Sequence, residues 1–151
     1  MPDLMLDHSM YHFRLIAALL VMTQSATADP TAQMRPLGNC AGCVISSEDF
    51  SEYRLMGLDL TDADISDVSF SQAFMSIAVL NGARLEGVSF EGADLRGATF
   101  VNAQLSNVSF IGADLTGAIF EGAVLTNSDL TLARLCKTQM PNDDMANADC
   151  G

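Results

Sequence analysis

Residues 81–125 read NGARL EGVSF EGADL RGATF VNAQL SNVSF IGADL TGAIF EGAVL, nine blocks of five without a slip. The fifth residue of each block is Leu or Phe, the third is Ala or Val, and the second is Gly or Asn. Carried outward, the frame adds Phe50, Leu55, Leu60, Ile65, Phe70, Met75 and Leu80 before the stretch and Leu130 and Leu135 after it. All eighteen large positions are then apolar. With about half the residues apolar, such agreement arises by chance roughly once in several hundred thousand sequences.

A period of five fits neither regular element. On a helix, five residues advance ~140° around the axis, so no stripe forms. On a straight strand an odd period sends every second Leu or Phe to the opposite face. The large and small positions both stay inside only if the chain turns a corner once per block. From Gly82 to Asn127 the second position holds seven Gly and three Asn, the residues that tolerate positive φ and tight turns. The number of sides follows from longer repeats. Val68-Ser69-Phe70 returns as Val88-Ser89-Phe90 and Val108-Ser109-Phe110, and Gly92-Ala93-Asp94-Leu95 returns as Gly112-Ala113-Asp114-Leu115. Both spacings are twenty, so four blocks make one coil and equivalent residues stack at ~4.8 Å.

Ala93-Asp94-Leu95-Arg96-Gly97 and Ala113-Asp114-Leu115-Thr116-Gly117 resemble the A(D/N)LXX block of the pentapeptide-repeat proteins, and the resemblance covers residues 46 to 135. It implies an all-β chain folded as a right-handed quadrilateral β-helix, a solenoid of about 4.5 coils at four blocks per coil. The motif is specific for fold and carries little about function. Tyr53 and Leu58 stand where the repeat asks for a small residue, so a wider or irregular first coil is expected.

The chain divides into four segments. Arg14, the apolar run Leu15 to Met22 and Ala26-Thr27-Ala28 form the pattern of a secretory signal peptide over residues 1–28, cut between Ala28 and Asp29. That pattern predicts a periplasmic or secreted protein. Asp3 and Asp7 make the extreme N-terminus acidic, and a start at Met10 gives a cleaner signal; the other reading of the run is a helix docked on the solenoid. Eight apolar residues are too few to span a bilayer, so no stable membrane anchor is expected. Removing 1–28 takes Asp3, Asp7 and Arg14, which moves the formal charge from −12 to −11, and takes both histidines, His8 and His12. No His-based catalysis is then available. Residues 29–45, with Pro30, Pro36 and Gly38, read as a linker and N-terminal cap, 46–137 as the repeat, and 138–151 as a C-terminal loop cap.

Four cysteines, Cys40, Cys43, Cys136 and Cys150, allow three pairings. The solenoid puts the two pairs at opposite ends, ~22 Å apart at ~4.8 Å per coil, whereas bridged Cα atoms lie within ~7 Å. The disulfides expected are therefore Cys40–Cys43 and Cys136–Cys150, and a single Cys₄ metal site is excluded. Cys40-Ala41-Gly42-Cys43 also has the spacing of a redox dithiol, but no βαβ pattern surrounds it. The Cys136…Met140-Pro141…Cys150 run is similar to the closing segment of some family members. An even count behind a signal peptide fits an oxidising compartment.

The outward positions carry mostly acids, including Asp59, Asp62, Asp64, Asp67, Glu86, Glu91, Asp94, Asp114, Glu121 and Asp129, which is the wrong sign for nucleic acid. Asp62 and Asp64 diverge across a corner, no nucleophile–base set accompanies them, and neither an enzyme nor a metal or other cofactor is expected. Among the outward apolar residues, Val79 and Ile119 fall on one wall with Thr99 between them and Val101 beside, a strip that can mark a partner surface or a site of self-association. The open solenoid ends offer a second route to self-association. The chain thus reads as a non-catalytic exported scaffold or protein-binding module. The alternative comes from the resemblance: some cytosolic members, the quinolone-resistance proteins among them, are acidic rods that mimic duplex DNA and engage DNA gyrase.

Overall fold

The computed structural model describes residues 39–151. The segment read as a signal peptide, most of the expected linker and both histidines lie outside the described residues. All ten corner residues from Gly82 to Asn127 have positive φ, from 49° at Asn127 to 71° at Gly117. At three of the four corners of a coil the small residue's N–H reaches back to the carbonyl of the preceding large residue, as in Ala93 to Phe90 and Ala98 to Leu95, both at 3.0 Å; the corner after the first wall lacks that bond. At those three the corner residue is the third of a four-residue turn of type II, the position that requires positive φ. This is why Gly and Asn recur there.

Four corners close each coil, and residues twenty apart stack in parallel register. The first wall is a 5-stranded parallel sheet in chain order, β1 (Val44–Ser46), β2 (Asp64–Ser66), β3 (Arg84–Glu86), β4 (Gln104–Ser106) and β5 (Val124–Thr126). The other walls are ladders of single bridges. The second runs Asp49, Ser69, Ser89, Ser109, Asp129, and the third runs Arg54, Phe74, Asp94, Asp114, Arg134. The fourth runs Asn39, Asp59, Val79, Thr99, Ile119, Gln139. The result is a right-handed quadrilateral β-helix, and there is no helix among the described residues.

Side chains fill the column as stacked files. Phe50, Phe70, Phe90 and Phe110 lie face to face at 5.4–5.5 Å behind the second wall. Behind the fourth wall Phe100 and Phe120 stack at 4.6 Å, and the two files meet edge to face at 5.9–6.1 Å. The alanines and valines at the small position leave room for these rings, and every large position from Phe50 to Phe120 is buried.

The ends differ from the sequence reading in two respects. The first coil is neither wider nor irregular: Asp49, Arg54 and Asp59 bridge Ser69, Phe74 and Val79 in the same register as every later coil. Among the described residues no coil stacks on the open side of the first one, so a large residue at the small position finds space there. Leu58 is 3% exposed, and Tyr53 leans out at 44%, edge-on to Phe50. The repeat also begins ahead of residue 46. Cys40 and Ile45 continue the files of large residues, and β1 already pairs with β2.

Both expected disulfides are present, Cys40–Cys43 with Cα atoms 5.2 Å apart and Cys136–Cys150 at 4.8 Å. Cys40 and Cys43 occupy a large and a small core position, so their bridge closes one file and spans the corner at Ala41 and Gly42. At the other end β6 (Thr138–Gln139) pairs antiparallel with β7 (Met145–Ala146), and the tail returns over the last coil. Asn147 Oδ1 accepts the N–H of Lys137 and Asp149 Oδ2 that of Leu135, at 3.0 and 2.8 Å. Side chains thereby replace the strand that a further coil would supply.

Candidate interaction surface

The described residues hold no cluster of three His, Cys, Asp or Glu side chains fit for a metal ion. Among the described residues an open groove of about 680 Å³ lies between Leu132, Arg134 and the tail at Asp149. What distinguishes the surface is how each wall satisfies its own polar groups. On the second wall the hydroxyls bond to one another, Ser51 to Ser69 at 2.9 Å, Ser69 to Ser71 at 3.1 Å and Ser71 to Ser89 at 3.0 Å. Elsewhere an outward carboxylate caps the next corner. Asp59 Oδ1 accepts the hydroxyl and the N–H of Thr61 at 2.6 and 3.0 Å, and Asp114 takes the same pair from Thr116. Asp94 binds the Arg96 guanidinium through two bonds of 2.8 and 2.6 Å. This is the Asx turn, in which the side chain satisfies the backbone two residues on.

These bonds set the acid response. The Thr61 hydroxyl, then its N–H, holds the Asp59 carboxyl below its usual range, and the Arg96 guanidinium does the same for Asp94. Depressed carboxyls contribute stability that is complete above their unfolded pKa of 3.8 and is lost as pH falls through the lower folded value. Urea midpoints are therefore expected to be level above about pH 5 and to fall below about pH 4. Asp59→Asn combined with Asp94→Asn keeps an acceptor but cannot titrate, and is expected to flatten that fall. An unchanged acid limb in the double variant would contradict this assignment.

The middle of the fourth wall is the exception. Val79, Thr99 and Ile119 are consecutive rungs of one ladder, half-buried, and half-buried Val101 stands at the adjoining corner beside them. The structure thus brings the four residues singled out in the sequence onto one face. Thr99 has no hydroxyl-bearing residue two positions on, since Val101 is there. Its Oγ1 is buried between apolar neighbours without a hydrogen-bond partner. An orphaned hydroxyl costs roughly 1–3 kcal/mol. Thr99→Val, which keeps the shape, is expected to raise stability by about 1 kcal/mol, read as a higher urea midpoint at unchanged slope. A lower midpoint would mean that the hydroxyl is bonded.

The opposite edge of this wall was harder to read in advance. Ile77 is 61% exposed and takes φ 55°, a conformation that a β-branched residue rarely adopts. Along its corner file Gly57 lies before it, Gly97 and Gly117 after it and Lys137 at the end, and a Cβ on Gly97 would come within 3.4 Å of Ile77 Cγ2. One apolar side chain therefore projects from a bare edge, at a strain of order 1–3 kcal/mol. Met56, 59% exposed at the preceding corner, extends the apolar surface and was not singled out in the sequence.

A closed solenoid with a filled interior and one apolar wall defines a repeat scaffold whose chemistry lies on its outer faces. The chain belongs to the pentapeptide-repeat family: the profile described as Pentapeptide repeats (8 copies) matches residues 75–110 and 103–140. HetL of the cyanobacterium Nostoc, a pentapeptide repeat protein involved in heterocyst differentiation regulation, is 30% identical over 72% of this chain at a TM-score of 0.68. The chain spans 52% of the length of HetL. A pentapeptide repeat protein of the Arabidopsis thaliana thylakoid lumen is 28% identical, with 73% of this chain and 83% of that one covered, at a TM-score of 0.64. Another Nostoc pentapeptide repeat protein is 30% identical over 66% of this chain and 75% of its own, at a TM-score of 0.37. No curated protein matches.

Proposed function

We propose that the chain is an exported, non-catalytic scaffold that presents its fourth wall to a protein partner. The observation that carries this reading is the contiguous apolar strip of Val79, Thr99 and Ile119, bounded by strained Ile77 on one edge and Val101 on the other. Strained backbone persists where something other than folding retains it, and contiguous apolar surface marks contacts. Export is supported by the signal pattern of residues 1–28 and by two disulfides that leave no free cysteine. The thylakoid-lumen relative shows that this architecture serves outside the cytosol in another organism.

The test is site-specific photo-crosslinking in cells, from position 119 on the fourth wall and from position 89 on the second. The intact mass of the alkylated protein is read from each cell fraction. A chain beginning at Asp29 with no alkylated cysteine, and a discrete adduct from 119 that 89 does not give and Val79→Asp abolishes, would support the reading. A full-length cytosolic chain with four alkylated cysteines would overturn it. The acidic-rod reading, supported by a formal charge of −12, would then lead, and inhibition of gyrase supercoiling would be its test.

A further inference from the structure

The charge of this rod is unevenly placed. Residues 1–38 hold Asp3, Asp7, Asp29, Arg14 and Arg35, so the described part has 19 − 3 = 16 acids and 7 − 2 = 5 cations. Arg54 and Arg134 stand on the third wall, and Arg96 and Lys137 at its corner with the fourth; Arg84 alone lies elsewhere, on the first. An acidic chain that meets a copy of itself is repelled at every face where acids dominate. The third wall is where that repulsion is weakest.

Its order along the axis goes further than neutrality. Coil by coil the ladder reads Arg54, Phe74, Asp94, Asp114, Arg134: cation, aromatic, acid, acid, cation. Reversed and laid on itself between the second and third rungs, the sequence pairs Arg54 with Asp114 at both ends and Phe74 with the Asp94–Arg96 pair at both centres. Each opposition is favourable, an ion pair outside and an aromatic face against a guanidinium inside. We propose that two copies of this chain pair antiparallel through the third wall in that register.

The groups involved are available. Arg54 makes no ion pair among the described residues, and its guanidinium lies 6.0 Å from the centre of the Phe74 ring. Phe74 is 49% exposed, although its rung could hold any polar residue. Asp114 has a cation only at 3.9 Å, in Arg134, on an exposed pair that contributes little. Sliding the register by half a coil, with Phe74 on Phe74, sets Arg54 against Asp94, which Arg96 already occupies through two short hydrogen bonds. Centring the contact on Asp94 opposes acid to acid and Arg54 to Arg134. Placing Asp114 against Arg134 overlaps only the last two coils. Self-complementarity of this kind is what a two-fold interface demands.

The experiment is sedimentation equilibrium of the oxidised protein over a wide concentration range, for the parent and four variants. The parent is expected to approach twice the chain mass. Phe74→Asp, Arg54→Asp and Asp114→Arg should each return the apparent mass to that of one chain, with the thermal midpoint showing the fold intact. Arg54→Asp combined with Asp114→Arg should restore the double mass. A parent that stays single at every concentration overturns the proposal, as does a dimer untouched by the single charge reversals or not restored by the double one. Val79→Asp on the fourth wall should leave the dimer unchanged, so loss of partner binding and loss of self-pairing are separately read.

Discussion

Phe100→Ala is expected to lower the free energy of unfolding by about 3–5 kcal/mol. Phe100 is fully buried, stacked on Phe120 at 4.6 Å and edge-on to Phe90 and Phe110 at 6.1 and 5.9 Å. The cost of such a truncation depends on whether neighbours can move into the space. Here they cannot. The Phe100 N–H donates to the Ile119 carbonyl and the Leu80 N–H to the Thr99 carbonyl, both at 2.7 Å, so the coils above and below hold their spacing. The cavity stays open, and its place in the middle of the column weakens the interface between the two halves of the solenoid, the term on which repeat proteins depend. Leu130→Ala, in the last coil where a stacked coil lies on one side only, is expected to cost less, nearer the lower end of the roughly 2–5 kcal/mol range. Urea unfolding with the disulfides intact measures both. A loss at Phe100 smaller than that at Leu130 would contradict a column clamped at its centre.

The same clamp explains what could be read from the sequence. Each ladder bond ties residue to residue at a spacing of twenty, so a single frame places every large, small and corner position together. Phe90, Ala93 and Gly92 are legible because three different physical demands recur in fixed order. The frame loses force where a demand is absent. In the first coil no described coil stacks on one side, and Glu48, Tyr53 and Leu58 are accommodated although they break the small-residue rule. In the tail, the side chains of Asn147 and Asp149 replace a missing strand, a role that no period announces.

The candidate surface was legible in a more limited way. Adding twenty to Val79 was enough to align it with Thr99 and Ile119, since wall position follows from the frame. The orphaned Thr99 hydroxyl follows from Val101 standing where Thr61 and Thr116 stand on other turns. Ile77 carried a signal as well, an isoleucine at a corner position, but a residue forced into the left-handed region reads in sequence as one more exposed hydrophobe. Rotamers and contacts such as Arg54 above Phe74 required coordinates.

Opening Cys136–Cys150 by replacing both cysteines with Ala is expected to cost about 3 kcal/mol, and opening Cys40–Cys43 in the same way about 2 kcal/mol, on the loop-closure account of cross-links. The first bridge closes a sequence separation of 14 and the second only 3. The larger effect should also be local. Cys150 holds the tail from which Asp149 and Asn147 reach the N–H groups of Leu135 and Lys137, and Asp149 N–H returns to the Leu135 carbonyl at 3.0 Å. Without the bridge those contacts depend on two exposed side chains and one backbone bond, so the last coil should open on its own. Amide exchange at Leu135 and Lys137 is then expected to accelerate by orders of magnitude, while Leu95 and Phe100, donating to Asp114 and Ile119, keep the protection of the whole column. Uniform acceleration across all coils would mean that the tail stabilises the solenoid as a unit. Unchanged exchange at Leu135 and Lys137 would mean that the cap holds without its disulfide, because the unpaired edge is then secured by the Thr138 hydroxyl on the Leu115 carbonyl and the β6–β7 pair alone.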